Sequence, residues 1–190
     1  FTYLDIENPG AAVAKSFQVT RYLAEADAII DLCKLKTHGL MAFTGACKNF
    51  FGAVPGMHKS EYHYQYQTKE AFADMLVDIC EWCKPRLCIA DGVVAMEGNG
   101  PSGGTPRRMG ALLAARNPQA LDLAAAHLMG LGAKDVPTLA AAHMRGLIPG
   151  EAAELHVFGE LATFAIADFQ HAAQHDIRLW GSTNETAAKL

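Results

Sequence analysis

The sequence contains no long hydrophobic run. Its most apolar stretches, such as residues 28–32, have the length of a β-strand, whereas a membrane-spanning helix needs about 20 apolar residues. No secretory signal is recognisable. An excess of basic residues is also missing, because 16 Lys and Arg stand against 20 Asp and Glu, which leaves a net charge of -4. We therefore predict neither a membrane nor a nucleic acid as a partner.

The cysteines lack the spacing of a disulfide scaffold. Their number is odd, and no run of four has the spacing of an iron–sulfur cluster motif. The five are Cys33, Cys47, Cys80, Cys83 and Cys88. Cys80 and Cys83 form a CxxC pair, but three-residue spacing on a helix places both on one buried face, so core packing is the preferred interpretation. Reduced thiols predict a cytoplasmic protein.

The overall composition is that of a globular protein. Of the 190 residues, 51% are hydrophobic and 19% are charged, which is enough apolar material for a sizeable core. We expect a single α/β domain over residues 1–190, with residues 161–190 forming a less regular tail that packs on it. Since the chain begins at Phe1, we also expect it to be a fragment of a larger protein.

Hydrophobic periodicity predicts alternating strands and helices. A hairpin or irregular strand pair is expected over residues 1–20, broken at Asn8-Pro9-Gly10, with a short helix at residues 22–26. Strands are expected at residues 28–33, 87–90, 110–115 and 155–158. Helices are expected at residues 70–82, 118–129 and 137–145. This order predicts a mostly parallel or mixed sheet flanked by helices.

The first candidate site lies in residues 34–56, which we interpret as a loop followed by one short helix. His38 comes five residues after the strand at 28–33, where open α/β sheets usually bind ligands. Lys34, Lys36 and Lys48 add cationic groups in a glycine-rich setting. An imidazole and several ammonium groups suit an anionic ligand such as a carboxylate or phosphate. The alternative is a solvated basic loop.

The second candidate site begins where the strand at 87–90 is expected to end. Asp91 and Glu97 follow that strand, so they are expected at the same sheet edge as His38. Two carboxylates can bind a metal or act as general acid and base, and the glycines around them can form a phosphate-binding nest. The alternative is a tight surface turn capped by Asp91. The motif is neither GxGxxG nor a P-loop.

Two histidines, His58 and His63, follow Pro55-Gly56 and are interpreted as loop residues that can converge on a metal ion. A structural role is predicted for the other histidines outside the first site. These are His127, His143, His156, His171 and His175.

Several motifs in the same order resemble the bacterial and archaeal family named domain of unknown function 362. They are residues 31–38 (DLCKLKTH), 44–52 (TGACKNFFG), Asp91-Gly92, 96–101 (MEGNGP), Gly104 and 117–122 (NPQALD). Cys33 stands where proline is common in the family. The resemblance runs from about Ala24 to Glu160 and implies an iron–sulfur association through a ferredoxin-like module outside this chain. It also implies that an N-terminal segment of the family is missing.

A more distant resemblance is to the nickel-pincer lactate racemase family. His38, Gly45, Lys48, Pro55-Gly56 and His63 follow the order of that family's motifs. The resemblance implies a racemase-like fold in which His38 is a general acid/base, Lys48 anchors a cofactor or anion, and His63 binds a metal. The second catalytic histidine of that family has no counterpart here.

Together these observations predict a metal- or iron–sulfur-linked enzyme domain that acts on a small anionic substrate. The cofactor itself is not identified, and a divalent metal is one option. The candidate catalytic residues are His38, Lys48, Asp91 and Glu97. The candidate anion-binding residues are Lys34, Lys36, Thr44, Gly45, Asn49 and Arg107, and the candidate metal ligands are His58 and His63. The alternative is a non-catalytic scaffold that docks a ferredoxin-like module and exposes a hydrophobic patch around Phe50 and Phe51.

Overall fold

The computed structural model describes residues 2–175. The chain begins with an antiparallel hairpin of β1 (Tyr3–Glu7) and β2 (Ser16–Thr20), followed by the short helix α1 (Arg21–Ala24). The amide of Ala11 donates to the carbonyl of Asn8, which closes the turn that Pro9 begins. The predicted hairpin is therefore confirmed.

The main sheet has four strands in the order β4-β3-β5-β6. They are β3 (Ile30–His38), β4 (Ala42–Thr44), β5 (Leu87–Glu97) and β6 (Thr105–Ala115). The β3–β5 pair is parallel, and the pairs β3–β4 and β5–β6 are antiparallel. The predicted α/β class is confirmed, with a mixed sheet.

Both central strands run further than predicted. We expected β3 to end at Cys33 because charged lysines follow, and β5 to end at Ala90. In the structure Leu35 and Thr37 remain buried on one face of β3, while Lys34 and Lys36 alternate onto the other face. The charges therefore mark a strand with one solvated face, and not the end of the strand.

Three helices were predicted correctly from their periodicity. They are α4 (Lys69–Cys83), α5 (Pro118–Leu128) and α6 (Pro137–Met144). The side chains of Thr68 and Asn117 cap α4 and α5 by accepting hydrogen bonds from Ala71 N and Ala120 N. The strand predicted at residues 155–158 was wrong, because this segment is irregular and exposed beyond Leu155.

The region after β4 is more helical than predicted. It contains α2 (Ala46–Asn49), a 3₁₀ turn at Phe50–Ala53, and α3 (Gly56–Gln65). Further 3₁₀ turns lie at Ala133–Asp135, Ala152–Glu154 and Leu161–Phe164.

The hydrophobic core has two parts. One face of the sheet, including Leu35 and Ala90, packs against α5 and α6. The second cluster joins α4 and the 3₁₀ turn at Phe50–Ala53 to the hairpin, through residues such as Phe17 and Phe72. All five cysteines are buried, as core packing predicts.

Part of the opposite face of the sheet is open among residues 2–175. It carries Ile30, Leu32 and Leu112, with 62%, 70% and 67% of their surfaces exposed. These three side chains lie on the strands β3 and β6, which flank β5.

The described part of the C-terminal segment contacts the rest of the domain. The Ile166 amide donates to the carbonyl of Leu128, and Phe169 is buried. Residues 168–175 then cross the ends of β5 and β3. The amide of Gly98 donates to Gln170 O at 2.6 Å, and the amide of His175 donates to Gly39 O at 3.0 Å. The rest of the predicted tail, residues 176–190, lies outside the described residues.

Candidate functional site

The structure brings six of the predicted site residues around one cavity of about 260 Å³. The cavity lies between β3, the start of α2 and the helix α3. The six are Lys34, Lys36, Thr44, Gly45, Lys48 and Asn49, and the helix α3 adds Lys59.

The cavity is strongly electropositive. Lys34, Lys36, Lys48 and Lys59 line it, and no carboxylate is among the residues that line it. The Lys34 Nζ atom lies 2.8 Å from a carboxylate oxygen of Asp91. Within residues 2–175, the other three ammonium groups have no carboxylate within 4.0 Å. An anion entering the cavity would therefore meet largely uncompensated positive charge.

Lys48 is partly buried and faces a second lysine. Burial and, next, the charge of Lys59 lower its pKa to about 8. Both ammonium groups approach the ring of Phe51, with Nζ to centroid distances of 5.9 Å for Lys48 and 5.7 Å for Lys59. Because like charges face each other here, a bound anion would stabilise the charged form of Lys48.

A buried carboxylate holds α2 in place beneath the cavity. Asp122 accepts hydrogen bonds from Ala46 N at 2.6 Å and from Cys47 N at 2.9 Å. Burial raises the pKa of Asp122 to about 7, while the two amide donors favour its ionised form. A Cβ atom at Gly45 would overlap this carboxylate and the ring of Phe43, so the close approach requires glycine.

Two polar side chains tie the cavity to β3. Asn49 Nδ2 donates to Asp31 Oδ1 at 2.6 Å and to Leu32 O at 3.3 Å. Thr44 Oγ1 donates to Lys34 O at 3.4 Å. Asn49 and Thr44 therefore connect the β4–α2 segment to the strand that carries Lys34 and Lys36.

His38 lies at the end of β3, beside the cavity but not among the residues that line it. Its Nδ1 atom accepts hydrogen bonds from Leu40 N at 3.0 Å and Met41 N at 3.2 Å. Burial, followed by the charges of Lys48, His175 and His63, lowers the pKa of His38 to about 3. The imidazole is therefore neutral at physiological pH.

The two predicted carboxylates do not share a site. Asp91 pairs with Lys34, and its pKa is lowered by that hydrogen bond and by the amide of Val93. Glu97 lies on the other face of β5, where it is 8% exposed. A register shift between Gly92 and Val94 reverses the alternation along the strand, so Asp91 and Glu97 point to opposite faces. The expectation of a shared edge for both carboxylates was wrong for Glu97.

Glu97 and Arg107 bind the C-terminal segment. Glu97 Oε2 accepts from the Gln170 amide at 3.1 Å, and Glu97 Oε1 accepts from Arg107 Nη1 at 3.4 Å. Arg107 also pairs with Asp168. Arg107, which we predicted to bind an anion, is thus engaged with two carboxylates and does not line the cavity.

The two predicted metal ligands lie on α3 and not on a loop. His58 Nδ1 is 2.6 Å from Glu61 Oε2. His63 stacks on Phe72 with ring centroids 4.3 Å apart, and burial lowers its pKa. Among residues 2–175, no group of three or more His, Cys, Asp or Glu is placed to hold a metal ion. The residues therefore do not fit the predicted metal site.

Sequence reasoning missed two residues that shape the site. Lys59 follows His58 directly, and it was overlooked because this segment was interpreted as a loop around a metal. In the sequence, Asp122 stands out only as the last residue of the motif at 117–122. Its role depends on the packing of α5 against α2, which no local pattern reveals.

This mixed α/β domain with a lysine-lined cavity belongs to the family described as domain of unknown function (DUF362), whose model matches residues 2–127. The match includes the N-terminal hairpin, which the resemblance from about Ala24 to Glu160 left out. The family part of our prediction is confirmed.

A curated relative is the thylakoid-associated protein sll1697 of Synechocystis. It is 39% identical over 139 residues, which cover 73% of this chain and 43% of the relative. The chain thus spans less than half the length of this relative. No solved structure matches the chain. The likeness to the nickel-pincer racemase family is not shown by these comparisons and stays a prediction.

No helix within residues 2–175 is long and apolar enough to cross a bilayer.

Proposed function

We propose that this domain binds a small anionic substrate in the lysine-lined cavity and acts on it as the catalytic part of an enzyme. The observation that carries the proposal is the convergence of Lys36, Lys48 and Lys59 on one cavity without a compensating carboxylate among the described residues. Lysine side chains on a solvated surface can move apart, whereas the ammonium groups of these three lysines are held close enough to repel one another. A bound anion offsets that repulsion.

The size of the cavity supports a small ligand. A volume of about 260 Å³ fits a carboxylate or phosphate carrying a few further atoms. The lysines can hold the anionic group, and Asn49 and Thr44 add polar groups at the rim. His38 lies two residues beyond Lys36 on the same face of β3 and would contact the part of the substrate that extends beyond the lysines.

Any metal or iron–sulfur centre would have to come from outside the described residues. The residues placed near the cavity supply no cluster of metal ligands. In this proposal a redox centre is carried by a partner such as a ferredoxin-like module or another segment of the same protein.

Sulfate is a suitable first probe because its charge is constant over the relevant pH range. Isothermal titration at low ionic strength should detect sulfate binding to the purified domain. Lys36→Met, Lys48→Met and Lys59→Met should each weaken it by about 10-fold, since a charge-assisted hydrogen bond contributes roughly 1.5–3 kcal/mol. Lys134→Met, at an exposed site away from the cavity, is the matched control and should bind like the wild type. Equal binding by all four variants would refute the proposal.

The open sheet face favours a second candidate function, that of a scaffold docking a partner domain. The hydrophobic patch that this alternative placed at Phe50 and Phe51 is not there, because both rings are buried with 5% and 7% exposed. Ile30, Leu32 and Leu112 supply an apolar surface instead. Two results together would favour the scaffold. The wild-type domain would fail to bind sulfate, and a ferredoxin-like module would bind the wild type but not Leu32→Glu.

We propose a cytoplasmic location, which the five unpaired, buried cysteines support. The relative is named for its association with thylakoids, and a membrane surface is therefore the alternative. Cell fractionation followed by immunoblotting distinguishes the two. Recovery with the membrane pellet would contradict the cytoplasmic proposal.

A further inference from the structure

The backbone fixes the orientation of the His38 ring beside the cavity. Its Nδ1 atom faces two backbone amides, those of Leu40 and Met41, at 3.0 Å and 3.2 Å. Both amides are donors, so Nδ1 must present its lone pair. The chain segment that follows β3 therefore selects one tautomer, in which the ring proton sits on Nε2.

The Nε2 side of the ring is available to a ligand. No hydrogen bond to Nε2 is found among residues 2–175, and the atom is not sealed from solvent. His38 shares the face of β3 with Lys34 and Lys36, both of which line the cavity. An N–H group with no partner among the described residues thus stands next to the electropositive cavity.

The charges around His38 oppose its protonation. Lys48 from α2, His63 from α3 and His175 from the C-terminal segment all act on the ring, and each disfavours a second positive charge. Desolvation by burial acts in the same direction and is the largest cause of the lowered pKa of His38. Protonation at Nδ1 would also set a new N–H against two existing N–H donors, so the geometry excludes it without local rearrangement.

We propose that His38 serves this site as a neutral hydrogen-bond donor through Nε2–H, and not as a general base. The proposal rests on the proposed anion site and deepens it. A base needs a free lone pair, and both amides already occupy the one on Nδ1. A neutral N–H donor instead suits an acceptor oxygen next to the anionic group held by the lysines. The ligand class is thus a small oxyanion, or an anion with a neighbouring carbonyl or hydroxyl oxygen.

The ring itself can be tested without any ligand. Long-range ¹H–¹⁵N spectra of the labelled protein distinguish the two neutral tautomers and the imidazolium. His38 is identified as the signal lost in His38→Gln. The expected result is an Nε2–H tautomer that does not change from about pH 5 to about pH 8, although a free histidine titrates near 6.5. An imidazolium signal at about pH 6, or an Nδ1–H tautomer, would overturn the proposal.

Sulfate binding tests the donor role. His38→Ala should weaken binding by the same factor at about pH 6 and about pH 8, of order 10-fold. His38→Gln should bind within about 3-fold of the wild type, because its amide N–H can donate although it cannot take up a proton. A loss in His38→Ala that grows several-fold towards pH 6 would show a charged donor and refute the proposal. Titration of Lys48 affects sulfate binding by the wild type and by both variants alike, so it cancels in the ratio of their dissociation constants.

The two proposals fail in different ways. Absence of sulfate binding by the wild type contradicts the anion site, while the ring spectra still decide the state of His38. Sulfate binding that depends on the lysines but is the same in His38→Ala supports the anion site and overturns the role of His38.

Discussion

The Nζ atom of Lys34 lies 2.8 Å from a carboxylate oxygen of Asp91, across the parallel pairing of β3 and β5. This contact joins a residue predicted to bind the anion to one predicted to be catalytic. It also means that Asp91 reduces the positive charge available to the cavity.

Replacing Asp91 by asparagine should strengthen anion binding. The variant frees the ammonium group of Lys34, and because the pair is partly exposed its interaction is worth at most about 1 kcal/mol. We expect sulfate affinity to rise about 2- to 5-fold at low salt, and the gain to shrink at high salt. Isothermal titration measures both. A loss of binding would instead indicate that Asp91 contacts the ligand directly.

Lys48→Met should weaken sulfate binding by about 10-fold and at the same time stabilise the free protein at neutral pH. The charge of Lys48 is desolvated and faces Lys59, whereas the methionine side chain keeps the apolar stem without the charge. We expect the free energy of unfolding at pH 7 to rise by roughly 1–2 kcal/mol, with Lys134→Met unchanged. Urea unfolding provides the measurement.

The same residue predicts a pH dependence of stability. Its pKa falls from 10.5 to about 8 on folding, so between these values the unfolded chain binds a proton that the folded chain lacks. The free energy of unfolding of the wild type should therefore rise, relative to Lys48→Met, as the pH increases from about 8 to about 10.5. If the free energies of unfolding of the two proteins change with pH in parallel across this window, Lys48 is not desolvated.

Glu97→Gln should loosen the C-terminal segment and leave the cavity intact. The variant weakens the contact with Arg107 and the hydrogen bond from the Gln170 amide. We expect faster hydrogen exchange at residues 168–175 and a stability loss of about 1–3 kcal/mol, with sulfate affinity within about 2-fold of the wild type. Lost sulfate binding with unchanged exchange would mean that Glu97 acts in the site after all.

Gly45→Ala should destabilise the protein and weaken sulfate binding together. Its Cβ atom would overlap Asp122, which must then release the amides that hold α2 and with it Lys48. We expect a loss of about 1–3 kcal/mol in thermal or urea unfolding. Gly10→Ala is the matched control, because a Cβ there meets nothing within 4 Å and Gly10 does not line the cavity. Similar behaviour of the two variants would contradict the role of Asp122.

Much of the site was accessible from the sequence because its members are neighbours along the chain. Lys34 and Lys36 lie on one strand, and Thr44, Lys48 and Asn49 follow within a short connection. A strand with one open face and a short crossover to a helix bring such residues together locally. The cavity therefore contains every predicted anion-binding residue except Arg107.

The misplaced residues depend on pairings that no short window contains. The register shift in β5 separates Glu97 from Asp91, although an even spacing of six residues would place them on one face of a regular strand. His63 was interpreted as a free ligand, whereas the packing of α3 on α4 stacks it against Phe72. Both outcomes arise from contacts between distant segments.

By itself, the sequence determined the helices α4, α5 and α6, the hairpin and the basic character of residues 34–48. These follow from periodicity, capping side chains and turn residues, which act over a few positions. Only the tertiary structure decided that Glu97 faces away from the lysines, that Asp122 supports α2 and that Nδ1 of His38 faces two backbone amides. Sheet register, helix packing and the direction of backbone amides are set by the whole chain, because each requires burying surfaces and pairing polar groups that lie far apart in sequence.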